Sequence, residues 1–158
     1  MIDFSKFYTD IGFVAALFYN NLLTNEMVLD IADVLTQTEN NDILIDILVS
    51  RYKDDNLKKI EEYIKSKNMY IKDKKRFLIK KTFQYILNGE ISLNDGIRFI
   101  NFEIIDREKT NMYLGDDVGV EQILGNFWAI NDGDVTDTIQ IKQLEKEINH
   151  EMKTYINS

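Results

Sequence analysis

Apolar side chains recur at intervals of three and four along nearly the whole chain, and no proline interrupts them in 158 residues. At an average usage of about 5%, a chain of this length would hold about eight prolines. Proline lacks the N–H a helix interior needs and clashes with the preceding turn, so its absence permits long unbroken elements. A period near 3.6 marks amphipathic helix, whereas strands alternate with a period of two. The combination predicts an all-α fold, with residues 1–158 forming a single compact domain of about seven helices joined by short loops.

Individual segments sharpen this expectation. Phe4, Phe7, Tyr8, Ile11, Val14, Ala15, Phe18, Tyr19 and Leu22 fall on one helical face. Thr24 is suited to cap a second helix carrying Met27, Val28, Ile31, Val34 and Leu35. ENND at 39–42 breaks the pattern, and Ile43 to Val49 is a dense apolar run that suits a buried helix better than a strand. Asp54 or Asp55 can cap a helix with Leu57, Ile60 and Ile64 inward. Asp73 opens another helix, which Asn88-Gly89 closes. Ser92 with Asp95 resembles a capping box. GIRFINFEII at 96–105 fits helix or strand. Val120, Ile123, Leu124, Phe127 and Trp128 return to helical spacing, and Ile141, Leu144, Ile148, Met152 and Tyr155 form a last clean stripe. LLTNEMVLDI at 22–31 echoes EISLNDGIRF at 90–99, which admits an α-solenoid-like stack of helical hairpins as well as two unrelated capped helices.

Composition bounds the function classes. Apolar residues at 44% and charged residues at 29% give the balance of a soluble globular protein. No apolar run reaches the 18 residues of a membrane span, so no membrane partner is expected. The opening MIDFSKFYTD sets Asp3 and Asp10 against Lys6 alone, unlike a secretory signal peptide. The chain has no cysteine, hence no disulfide, thiol nucleophile or thiolate metal site, in keeping with a cytoplasmic location. Frequent Lys, Ile and Asn match the coding bias of a low-GC bacterium.

The net charge of −8 is unevenly spread. Residues 51–81 hold most of the basic side chains, in KKIEEYIKSKNMYIKDKKRFLIKK, while the segments on either side are acidic. Lys and Tyr together resemble a nucleic-acid footprint. Two amphipathic helices with Lys on their wet faces explain the block more simply, and the acidic remainder would repel a polyanion. No nucleic-acid partner is expected.

The segment YLGDDVGVEQILGNFWAINDGD, 113–134, gathers five carboxylates, four glycines and the only tryptophan, and no Lys or Arg occurs from Thr110 to Asp137. Three accounts fit it. Its GDDVG and NDGD stretches are turn chemistry, with Asp and Gly tolerating left-handed backbone and Trp128 in the core. Alternatively, Asp132-Gly133-Asp134 with Asp137 resembles part of a calcium loop. The match is poor, because Asp137 stands where that loop needs Gly and Gln143 where it needs Glu. Scattered carboxylates could also serve a divalent-metal-dependent hydrolase, but the only histidine, His150, reads as a solvated helix residue. No nucleophile motif, Walker loop or dinucleotide fingerprint is present, so no catalytic residue, metal ligand or cofactor is assigned. In the third account the carboxylates form a surface that attracts a basic protein, with an aromatic anchor supplying the apolar contact. Tyr113, Asp116, Asp117, Glu121, Asp132 and Asp134 are then the partner-binding candidates.

In size, acidity, lack of cysteine and helical pattern, and with YLGDDVGVEQILGNFWAINDGD as a signature-like block, the chain resembles small bacterial immunity proteins of polymorphic and contact-dependent toxin systems. The resemblance implies a non-catalytic cytoplasmic protein that binds a cognate toxin, here a basic, nuclease-type one, and neutralises it. It assigns no role to any single residue. A helical scaffold or regulatory module is the remaining alternative, and the sequence leaves the oligomeric state open.

Overall fold

Hydrogen bonds made by short polar side chains set where most of the helices begin. A computed structural model describes residues 1–50, 55–105 and 118–158, and among these every regular element is helical. After a 3-10 turn at Phe4–Phe7 come α1 (Ile11–Tyr19), α2 (Asn25–Thr36), α3 (Asp42–Val49), α4 (Asn56–Ser66) and α5 (Lys74–Leu87). They are followed by α6 (Leu93–Phe99), a π-helical turn at Ile100–Ile105, α7 (Glu121–Asn131) and α8 (Thr138–Ile156). The all-α expectation is what the structure shows.

The caps explain these boundaries. Thr24 Oγ1 accepts from the Met27 N–H, Asp73 Oδ1 from the Arg76 N–H, and Ser92 Oγ from the Asp95 N–H. Each bond satisfies a donor the first helical turn leaves unpaired. Asn41 and Asp137 do the same for α3 and α8. At the other end of α5, Gly89 takes a left-handed conformation with φ +75°. The Gly89 N–H then reaches the Ile86 carbonyl and the Glu90 N–H the Tyr85 carbonyl, a complete Schellman closure. Asn21 and Asn68, both at φ 56°, close α1 and α4 with left-handed asparagines.

Four expectations need correction. Phe4 to Leu22 is not one helical face, because Asp10 adopts extended backbone and caps α1 at the Phe13 N–H. Within α1, Gly12 to Leu17 are all buried, so this helix is enclosed on every side rather than striped. Asp55 stands at the start of α4 but its carboxylate caps nothing, and Asp54 lies outside the described residues. The apolar run at 43–49 is helical, yet only Leu44 and Ile47 are buried, while Ile45, Leu48 and Val49 are 41%, 39% and 69% exposed. The ambiguous 96–105 stretch resolves as helix passing into the π turn. The echo between 22–31 and 90–99 extends as far as the shared hydroxyl cap. The helices that follow run 12 residues in α2 and 7 in α6.

Two compact units divide the chain. In Asp3–Leu78, α2, α3 and α4 pack on one another and α1 lies against α4. Val28, Ile31, Leu35, Leu44, Ile47, Ile60 and Ile64 fill this core. A polar cluster sits at its edge. The Tyr63 hydroxyl donates to Glu39 Oε2 at 2.7 Å, and Lys67 Nζ donates to Glu39 Oε1. Lys67 and Tyr63 hold the Glu39 carboxyl below its ordinary value. Burial, followed by the Glu39 charge, pushes the Tyr63 phenol up.

The second unit is Ile79–Ser158 with the first two residues. α7 and α8 form its main helical pair, joined through Gly133 at φ 76°. Phe83, Ile97, Ile100, Ile123, Phe127, Ile148 and Met152 are buried here. The Tyr155 ring meets Phe83 edge-on at 5.3 Å, and its hydroxyl donates to the Val118 carbonyl at 2.7 Å. No helix among the described residues is long and apolar enough to cross a membrane.

Candidate functional site

α7 carries three of the six residues singled out from sequence or lies beside them. Val120, Ile123 and Phe127 turn inward and anchor it. Glu121 begins the helix, Asp132 is its C-cap, and Asp134 follows in the turn to α8, all three exposed. None of them makes an ion pair with a described residue. Tyr113, Asp116 and Asp117 lie outside the described residues.

These carboxylates differ in what the local structure asks of them. Glu121 stands in the first turn of α7, where a negative charge complements the positive end of the helix dipole. Asp137 caps α8 and is likewise accounted for by local structure. Asp132 stands at the opposite end of α7, where the dipole is already negative and a carboxylate is unfavourable. Asp134 caps nothing. Stability therefore explains Glu121 and Asp137 but not Asp132 and Asp134. The two ends of α7 are about 16 Å apart at 1.5 Å per residue, so Glu121 does not converge with Asp132 on one small ligand.

Trp128 is not in the core, contrary to the expectation from its spacing to Leu124. It is half-buried, because Phe127 takes the inward position and turns the indole to the flank of α7. There, among the described residues, Trp128 meets one cation and two aromatic rings. The Arg98 guanidinium carbon lies 5.1 Å from the indole centroid, the Phe102 ring meets it edge-on at 6.1 Å, and Phe127 does so at 5.1 Å. Arg98 Nε is tied to Asn94 Oδ1 at 2.9 Å, and Phe102 is 49% exposed. An accessible aromatic pair thus sits beside exposed carboxylates. Arg98 and Phe102 were not singled out from sequence. Their i, i+4 spacing puts them on one helical face, but nothing local says that this face meets Trp128.

The same unit holds an open groove of about 410 Å³ along the C-terminal turns of α5 and α8. Among the described residues its polar lining is Gln84, Tyr85, Asn88, Lys153 and Asn157, three amides, a phenol and one ammonium, with no carboxylate or imidazole in the lining. Among the described residues, no three His, Cys, Asp or Glu side chains converge as metal ligands would. His150 is exposed on α8. The basic segment lies on α4 and the first turns of α5, with Lys58, Lys65, Lys72 and Lys74 exposed and Ile60, Tyr63 and Ile64 buried. Compared with models of known protein families, with curated proteins and with solved structures, the chain shows no match in any of the three.

Proposed function

We propose that this chain is a non-catalytic protein-binding protein, an inhibitor that neutralises a basic, nuclease-type toxin as bacterial immunity proteins do, meeting it in the cytoplasm. The observation that supports this is Asp132 at the negative end of α7 and Asp134 just past it, both exposed and, among the described residues, without an ion-pair partner, with Asp132 one helical turn from the half-buried Trp128. A carboxylate placed where it costs stability, as Asp132 is, is accounted for by a cationic partner. Their field would draw that partner in and disfavour acidic competitors. The aromatic pair supplies the desolvated contact that charge alone does not. On this reading Glu121 widens the same surface.

The test is affinity capture from the source cells at low and high salt, with wild type beside a Glu121→Gln/Asp132→Asn/Asp134→Asn variant. Surface charge acts over about 30 Å at 0.01 M salt and about 3 Å at 1 M. A basic protein held by wild type, lost in the variant and lost at high salt is the expected result. The purified chain should then abolish that protein's nuclease activity at one-to-one stoichiometry. Capture of equal strength by the variant would remove these carboxylates from the interface, and undiminished nuclease activity in the complex would refute inhibition.

A further inference from the structure

Gly125 stands in the middle of α7 and is exposed. A glycine there costs about 1 kcal/mol relative to alanine, through the backbone freedom it loses. Packing among the described residues supplies no reason for it. Gly125 is in ordinary helical conformation, and a Cβ built on it would meet no described atom within 4 Å. By contrast, a Cβ on Gly96 would lie 2.4 Å from Ile86 Cδ1, so that glycine serves internal packing. What Gly125 does provide is a bare strip of helix backbone facing outward.

Helical geometry fixes its companions. At about 100° per residue, Glu121, Gly125, Trp128 and Asp132 all fall within about 60° of arc on one face of α7. The order along this face is carboxylate, bare backbone, aromatic, carboxylate. From 118 to 141 the chain has Glu121, Asp132, Asp134 and Asp137 and no Lys or Arg. Among the described residues, the cation that touches this face is Arg98 of α6, already engaged by Asn94 and the indole. The unbalanced charge is therefore negative at both ends of the stripe.

We propose that this face seats a basic α-helix of the partner protein, lying lengthwise along α7 with its closest approach at Gly125. Cations of that helix would face Glu121 and Asp132, and an apolar side chain would rest against Trp128 and Phe102. A helix is the occupant this spacing suits. The two carboxylates are eleven residues apart on α7, so cations eleven residues apart on an antiparallel helix lie at the same separation. A residue without a side chain at the crossing lets two helices approach to the near end of their usual 8–10 Å separation. The proposal rests on the protein-binding reading above and specifies its partner element.

Trp128 is the only tryptophan, so its emission reports this face directly. The probe is a synthetic helical peptide with two Lys eleven residues apart and Leu and Ala between them on the same face. Its control has Glu in place of both Lys. The Lys peptide should shift Trp128 emission, bind at least about tenfold more weakly as salt rises from 0.01 M to 1 M, and leave the Glu control silent. Gly125→Ala should raise the melting temperature of the free protein yet weaken peptide binding at least about tenfold, by filling the gap. Glu121→Gln/Asp132→Asn should weaken it without changing the melting temperature upward. Peptide that binds by anisotropy while Trp128 stays silent and Gly125→Ala has no effect would overturn this face and leave the protein-binding reading standing. The same holds if the peptide fails to bind while a natural partner is captured. A wild-type dimer in sedimentation, dispersed by Gly125→Ala, would overturn the proposal in favour of a second copy as occupant. Failure of both peptide and natural partner to bind would overturn the protein-binding reading as well.

Discussion

The Tyr63 hydroxyl donates to the Glu39 carboxylate across 2.7 Å, joining α4 to the loop that leaves α2. Tyr63 is fully buried, and Lys67 reaches the other oxygen of the same carboxylate. A hydrogen bond to a charged acceptor contributes about 1.5–3 kcal/mol. Glu39 keeps Lys67 when the hydroxyl is removed, so Tyr63→Phe should fall at the lower end, about 1.5 kcal/mol of destabilisation. Urea unfolding should show the midpoint falling with the slope unchanged. An unchanged midpoint would mean that the ring alone stabilises this site.

The same pair makes stability depend on pH at both extremes. The Glu39 carboxyl is held below its ordinary value of 4.5, first by Lys67 and then by Tyr63. Its contribution is complete above the unfolded value and is lost as pH falls through the lower folded one. Burial and then Glu39 raise the Tyr63 phenol above its ordinary value of 10.0. That contribution is complete below pH 10 and is lost as pH rises toward the folded value. The gap in melting temperature between wild type and Glu39→Gln should therefore narrow below about pH 4.5. A gap that stays constant from pH 7 to pH 3 would contradict the assignment.

Gly96 on α6 lies under Ile86 of α5, leaving 2.4 Å between a built Cβ and Ile86 Cδ1 and 2.7 Å to Cγ1. Gly96→Ala would gain about 1 kcal/mol in helix propensity. Displacing Ile86 should cost about 1–3 kcal/mol, so the net change runs from neutral to about 2 kcal/mol destabilising. In an Ile86→Ala background the obstruction is gone and the same substitution should stabilise. A double-mutant cycle by thermal unfolding measures this reversal. Additive effects would show that α5 and α6 yield without strain.

Tyr155 ties the end of α8 to the start of the α7 region through its bond to the Val118 carbonyl, 37 residues away. Tyr155→Phe keeps the edge-on contact with Phe83 and orphans a buried acceptor. That should cost about 1–2 kcal/mol. Amide exchange at Val120 and Gly119 should quicken more than exchange in α4. Uniform quickening across the chain would mean that the bond does not act locally.

The sequence by itself determined the helical class and several helix ends. Thr24, Asp73, Ser92 and the Asn88-Gly89 pair act within four residues of themselves, through hydrogen bonds whose partners are set by chain connectivity. Periodicity also determined which residues share a face, so Glu121 and Trp128 were alignable before any coordinates. Tertiary structure alone decided which face is inward. Leu124 and Trp128 have the same spacing as core residues, yet the packing of Phe127 leaves Trp128 at the flank, where it meets Arg98 and Phe102. Likewise, Glu39 lies 24 residues from Tyr63, and no local signal pairs them. A cap is a bond between neighbours in the chain, whereas burial is a competition among all side chains for one core, settled only when the helices have packed.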